Sequence, residues 1–157
     1  FLLGAGDAFR LLCHFELLPG HFLGNPTGRY LSKNLFVKVD NRNSPVSALH
    51  NHNYPLHLPV ATAFGAYRAE KADVEQMEKQ QQIIFRFSDK EGHITTEANP
   101  LDALDNIAGI ANTKRNVFGL IPHPERATDD ELGNTDGYVL FDSIIHIIGR
   151  SISRNLV

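Results

Sequence analysis

A histidine and a glutamate two residues apart are the side chains in this sequence best placed for acid–base chemistry. His123 and Glu125 lie in the segment IPHPERA, which follows an apolar run that reads as a strand. Residues two apart in an extended segment project to the same side, and the prolines on each side of the histidine restrict its backbone. This spacing suits an imidazole general base whose tautomer a carboxylate fixes. A surface histidine and glutamate in a proline-rich loop is the other interpretation that the residues allow.

The second candidate is the opening segment FLLGAGDAFRLL, in which the end of a strand passes through a glycine turn into a helix. Such a turn binds a phosphate on the N–H groups of the helix start or carries a nucleophile. As a phosphate turn, GAGDAF resembles the anion-hole motif of the ribokinase-like sugar kinases, in which Asp7 would be the base that activates a sugar hydroxyl. That family carries the motif late in its chain, whereas nearly all of this sequence lies downstream of it.

Composition limits the function classes. The chain has 157 residues, enough for one domain, with 42% hydrophobic residues and a net charge of −3, which argues against a nucleic-acid surface. No apolar run is as long as a membrane span, so we expect no membrane partner. The single cysteine, Cys13, excludes an intrachain disulfide and fits a reducing compartment, and we expect a cytoplasmic protein.

Apolar periodicity and turn residues predict an α/β fold with an added antiparallel meander. Strands are predicted over 1–5, 29–39, 56–63, 82–89, 106–112 and 116–123. Helices are predicted over 8–18 and 67–82, and a last helix is predicted to be capped by Asp136. The apolar stripe of that helix consists of Phe141, Ile144, Ile145, Ile148 and Ile152.

Five blocks of the sequence resemble class I glutamine amidotransferases, and within them the glutaminase subunits of phosphoribosylformylglycinamidine synthases, in their order and spacing. The blocks are LLCHFELLPGHFLGNPTGRY (11–30), VKVDNRNSPV (37–46), LPVATAFGAY (58–67), NPLDALDNIAGIANTKRNVFGLIPHPERA (99–127) and LGNTDGYVLFDSI (132–144). The resemblance implies a three-layer, flavodoxin-like α/β fold and a single, partial domain over 1–157, from which the family's N-terminal strands are missing. Their absence would leave an exposed sheet edge, and we expect the chain alone to be a poorly behaved monomer.

The resemblance also implies a reaction. In these enzymes a cysteine on the elbow between a strand and a helix attacks the side-chain amide of glutamine, and a glutamyl thioester forms as ammonia leaves. His123 matches the family's base and Glu125 the residue that orients it. Ammonia then passes to a synthetase subunit, on which ATP and magnesium are expected, and a small accessory subunit is a further expected partner. No cofactor and no metal are expected in this chain.

The elbow itself departs from the family pattern. Gly6 stands at the nucleophile position and Ala8 at that of the second elbow glycine, so no thioester can form at residue 6. Cys13, seven residues further on, is predicted to be a buried thiol. The family implies four substrate-binding positions, at Phe9, Arg10, Thr62 and Phe64. The sequence therefore predicts a glutaminase subunit that is catalytically impaired, with a non-catalytic scaffold or binding partner as the alternative.

Three histidines in ALHNHNYPLHL could in principle ligate a metal ion. His50, His52 and His57 lie close together, and His-x-His is a pattern that zinc can use. Nothing in the sequence suggests a fourth ligand, so polar loop histidines are the favoured interpretation.

Overall fold

The structure is a computed structural model that describes residues 1–50 and 54–155, with side chains up to residue 150. Within those ranges the chain forms eight strands and three α-helices. The strands are β1 (Leu2–Ala5), β2 (His21–Leu23), β3 (Leu31–Val39), β4 (Leu56–Thr62), β5 (Ala66–Arg68), β6 (Ile83–Ser88), β7 (Ile107–Ala111) and β8 (Val117–Leu120). The helices are α1 (Asp7–His14), α2 (Lys71–Lys79) and α3 (Tyr138–Asn155).

Six of the strands form one mixed sheet in the order β1-β8-β7-β6-β3-β4. Only β1 and β8 are parallel; the other neighbours are antiparallel. Strands β2 and β5 form a separate antiparallel pair. The predicted α/β class with an antiparallel meander is confirmed, and the parallel character of a flavodoxin-like sheet is confined here to the β1–β8 pair.

The burial of the strands follows their place in the sheet. All five residues of β7 are buried, and β6 is buried except at Arg86, which is the near-continuous apolar pattern of strands covered on both faces. Strand β4 lies at the edge and alternates between buried and half-buried residues. Its apolar positions Leu56, Leu58 and Val60 therefore face the core.

The first helix is shorter than predicted and buries a different face. It ends at His14, and Leu11 and Phe15 of the predicted apolar face are exposed. The buried residues are Phe9, Leu12 and Cys13, because the helix lies against β1 and β8. The spacing of apolar residues indicated a helix but did not reveal which side the sheet covers.

The predicted helix over 67–82 is also corrected. Its first residues form strand β5, in which Tyr67 pairs with Phe22 of β2, and helix α2 begins only at Lys71. Strand β2 is three residues long, too short for periodicity to reveal.

Helix α3 departs from its predicted stripe and cap. Ile145 and Ile148 are exposed, whereas Leu140 and Ser143 are buried. Asp136 takes a different role from the predicted cap, since its Oδ2 accepts a hydrogen bond from the His57 N–H at 2.7 Å. Within residues 1–50 and 54–155, none of the helices combines the length and apolarity that a membrane span requires.

Candidate functional site

The turn between β1 and α1 has the geometry of a strand-to-helix elbow. Gly6 adopts φ +58° and ψ −127°, a positive-φ conformation that glycine tolerates far better than other residues. Its N–H donates to the Leu120 carbonyl at 2.8 Å. Because β1 and β8 are parallel, the turn lies where both strands end, which is the common place for ligand sites in open sheets.

His123 is held on both its backbone and its ring. Its N–H donates to the Pro59 carbonyl of β4 at 2.7 Å, and Nδ1 lies 2.8 Å from Glu125 Oε1. A carboxylate only accepts, so Nδ1 carries the proton and Nε2 presents its lone pair. The residue is 9% exposed, and Nε2 is buried without a hydrogen-bond partner among the described residues. The ring is therefore oriented as a base with one free nitrogen.

The free side of the imidazole faces Gly6. A Cβ built on Gly6 would overlap both Cε1 and Nε2 of His123. The ring therefore occupies the space that a side chain at position 6 would need. The structure brings these two positions into contact, although the sequence separates them by more than a hundred residues.

Asp7 does not sit as a sugar-kinase base would. Its side chain is 66% exposed, and its Oδ1 lies 3.7 Å from Arg10 Nε. The turn faces an imidazole paired with a carboxylate, which favours a nucleophile elbow over a phosphate turn.

Arg10 and Phe64 meet beside the first turn of α1. The Arg10 Cζ lies 5.1 Å from the centre of the Phe64 ring, within the range of a cation–π contact. Arg10 Nε is buried and, among the described residues, makes no hydrogen bond. Phe64 is 46% exposed. The two side chains contact each other, and their predicted roles in substrate binding stay predictions.

Phe9 and Thr62, the other two predicted substrate-binding residues, are buried. Phe9 is fully buried and packs against the rings of Phe22 and Tyr67, and a Cβ on Gly119 would overlap its ring. Phe9 therefore packs in the core, and its predicted role in substrate binding stays a prediction. Thr62 is also buried, and its Oγ1 accepts from the Phe64 N–H at 2.9 Å.

Asn25 is the residue beside this site that the sequence did not single out. It is buried, and its side-chain amide hydrogen-bonds to Thr62, Gly65 and Arg29. An asparagine before a proline in a polar loop reads as an ordinary turn residue. Its partners are up to 40 residues away, so local pattern gives no signal of this role.

Cys13 is a structural thiol, as predicted. It is buried, and its Sγ donates to the Pro19 carbonyl at 3.4 Å. Burial raises the pKa of the Cys13 thiol to about 12. The thiolate is the reactive form of cysteine, so burial keeps Cys13 in its unreactive, protonated form.

Two of the three clustered histidines have other contacts. His50 Nε2 lies 2.8 Å from the Tyr54 carbonyl, and the His57 ring stacks on Phe36 at 4.3 Å. His52 lies outside the described residues. No group of three or more metal-ligating side chains occurs within the part of the chain that the structure describes.

Comparison with known proteins identifies the family. Residues 1–136 match the model of the CobB/CobQ-like glutamine amidotransferase domain. The chain is 38% identical over 149 residues to phosphoribosylformylglycinamidine synthase subunit PurQ of Koribacter versatilis, covering 95% of this chain and 64% of that protein. It is 40% identical over 152 residues to the subunit of the same name in Symbiobacterium thermophilum, covering 96% and 65%.

A solved structure agrees with these relatives. The structure of PurLQS from Thermotoga maritima superposes with a TM-score of 0.73 and 28% identity, over 93% of this chain and 61% of that one. The chain spans about 64% of the length of the first of the curated relatives. The predicted resemblance to glutamine amidotransferases is confirmed. The chain belongs to the family of CobB/CobQ-like glutamine amidotransferase domains.

Proposed function

We propose that this chain is a PurQ-type subunit of a phosphoribosylformylglycinamidine synthase that does not itself form the glutamyl thioester. The observation that carries the proposal is the contact between Gly6 and His123. The elbow faces an oriented base, yet residue 6 has no side chain to be deprotonated. The PurQ relatives support the assignment to the synthase.

The remaining residues define what the site can do. His123 can accept a proton at Nε2, and Glu125 stabilises the imidazolium that results. The N–H groups at the start of α1 carry partial positive charge that suits an oxyanion. Without a nucleophile, no carbon–sulfur bond forms and ammonia does not leave by the thioester route. Loss of the nucleophile alone lowers kcat by roughly 10⁶ in a well-studied triad hydrolase.

The expected partner is a synthetase subunit, with a small accessory subunit as a further one. On this proposal ATP and magnesium bind to that synthetase, and this chain carries no cofactor. The solved PurLQS structure supports an assembly of this kind. On this proposal the subunit completes the assembly, and ammonia has to come from solution.

The test combines assembly and turnover. The chain is mixed with a PurL-type synthetase and the accessory subunit, and the complex is isolated by size exclusion. We expect a complex that produces the amidine with ammonium but not with glutamine. Glutamate release from glutamine above background would overturn the missing-nucleophile assignment. Failure of the folded chain to bind the synthetase would overturn the assignment to the synthase and favour a scaffold in another assembly.

A further inference from the structure

The buried side chain of Asn25 joins a loop to the turn that follows β4. Its Nδ2 donates to the Thr62 carbonyl at 2.9 Å and to the Arg29 carbonyl at 2.8 Å, and its Oδ1 accepts from the Gly65 N–H at 2.9 Å. Its own N–H donates to the Ala63 carbonyl at 2.9 Å. Three of these four hydrogen bonds end on residues 62–65.

That turn holds Phe64 against Arg10. Within the turn, the Phe64 N–H donates to Thr62 Oγ1, and the ring lies 5.1 Å from the Arg10 Cζ. A Cβ on Gly65 would come within 2.6 Å of the buried Leu101 side chain. The turn is therefore fixed from two sides, by Asn25 and by Leu101.

The same strand supports His123. The Pro59 carbonyl of β4 accepts from the His123 N–H, and Thr62, three residues later, begins the turn. Arg10 belongs to the first turn of α1, which starts directly after Gly6. The contact between Arg10 and Phe64 thus connects α1, which follows Gly6, with the turn after β4, the strand whose Pro59 carbonyl accepts from the His123 N–H.

We propose that Asn25 is a positioning residue that keeps Phe64 on Arg10 and thereby limits access of small molecules to the Gly6–His123 site. If the turn opened, Asn25 would lose two hydrogen bonds of its side-chain amide and one of its backbone N–H, and unpaired buried amides are strongly disfavoured. Aspartate could not replace it, because a carboxylate cannot donate to the two carbonyls that Nδ2 serves. This inference rests on the proposed function only in identifying the Gly6–His123 contact as the site.

The experiment measures access to His123. Diethylpyrocarbonate modifies the exposed nitrogen of an imidazole, and peptide mass spectrometry separates His123 from the other seven histidines. The variant Asn25→Asp is compared with Asn41→Asp, a matched control. Asn41 is equally buried, at 6% exposure, and its amide also holds backbone groups, but it follows the opposite end of β3.

We expect Asn25→Asp to raise the rate of His123 modification about threefold or more and Asn41→Asp to leave it unchanged, since distant sites act independently. Phe64→Ala, at a half-exposed position, should raise the rate by itself. Adding Asn25→Asp to Phe64→Ala should then have no further effect, because both changes remove the same contact.

Equal rates for Asn25→Asp and Asn41→Asp would overturn the proposal, and so would full additivity with Phe64→Ala. If Asn25→Asp does not fold, an unchanged rate for Phe64→Ala alone overturns it. The measurement does not depend on turnover. Glutaminase activity of the chain would therefore contradict the proposed function and leave this inference intact.

Discussion

Gly6 combines a backbone requirement with the absence of a side chain. Its left-handed φ suits glycine, and the His123 ring fills the adjacent space. Any L-residue at this position pays the conformational cost and also displaces the ring.

Substituting the elbow glycine tests this account. We expect Gly6→Cys to gain glutamate release from glutamine, and Gly6→Ala to gain none, because alanine restores the Cβ but not the thiol. Both variants should lose stability, by about 1–3 kcal/mol from the sparsely populated positive-φ backbone alone. Glutamate is quantified by a coupled assay, and unfolding by urea titration.

The control is Gly6→Cys with His123→Ala, which keeps the thiol and removes the base. Turnover that survives in this double variant would show that the imidazole is not the base.

The buried thiol of Cys13 predicts that the stability of the protein depends on pH. Burial raises the pKa of its thiol to about 12 in the folded chain, whereas the unfolded thiol ionises near 8.5. Above that value the unfolded state binds fewer protons, so the free energy of unfolding falls with rising pH, by at most about 1.4 kcal/mol per pH unit. Urea titrations between pH 8 and pH 9.5, below the range in which tyrosine titrates, measure the slope.

The variant Cys13→Ala should remove this part of the slope while lowering stability at every pH. An unchanged slope would contradict a protonated buried thiol.

At the scale of elements, strand β4 links the site to the segment that follows it. The outer edge of β4 pairs with residues after β8: His57 N–H donates to Asp136 Oδ2, and Asn134 Nδ2 donates to the His57 carbonyl at 2.6 Å. Together with the bond from the His123 N–H to Pro59, these contacts cover an edge that would otherwise be unpaired.

Removing one of these contacts should loosen the edge. We expect Asp136→Ala to cost about 1 kcal/mol and to speed exchange of the His57 amide hydrogen, which loses its acceptor. Hydrogen exchange followed by NMR measures it. Asp142→Ala, at an exposed position of α3, should leave His57 exchange unchanged, and equal exchange in the two variants would contradict this role.

The sequence predicts the presence of a strand where the strand is completely buried. It does not predict which face of a helix packs against the rest of the protein. The apolar runs of β6 and β7 predict strands because both faces are covered. The exposed Leu11 and Ile145 satisfy the same periodicity as buried residues, so the pattern does not show which side packs. The His123–Glu125 pair follows from local spacing. Asn25 does not, since its hydrogen bonds depend on the tertiary arrangement of β4.

At the scale of the whole molecule, the free edge of β1 exposes apolar side chains. Phe1 and Leu2 are about half exposed, and the Phe1 ring stacks on Phe118 at 4.9 Å. An edge strand with exposed apolar side chains favours pairing with another chain. The expectation that the isolated chain is a poorly behaved monomer stays a prediction.

We therefore expect the isolated chain to self-associate in a concentration-dependent manner in sedimentation velocity experiments. Leu2→Lys should reduce the association, because a charge on an edge strand opposes pairing. Leu132→Lys, at a position that is 58% exposed and outside the sheet, is the matched control. A monodisperse monomer at all concentrations would contradict the prediction.

The proline in β4 determines how the six-stranded sheet can grow. Pro59 pairs with Asn34 of β3 on one side and accepts from His123 on the other. Proline has no N–H, so the outer border of β4 cannot supply a complete ladder to an added strand. His123 already uses the carbonyl at that point. A strand contributed by any other polypeptide can therefore extend the sheet only next to β1, at the border opposite β4.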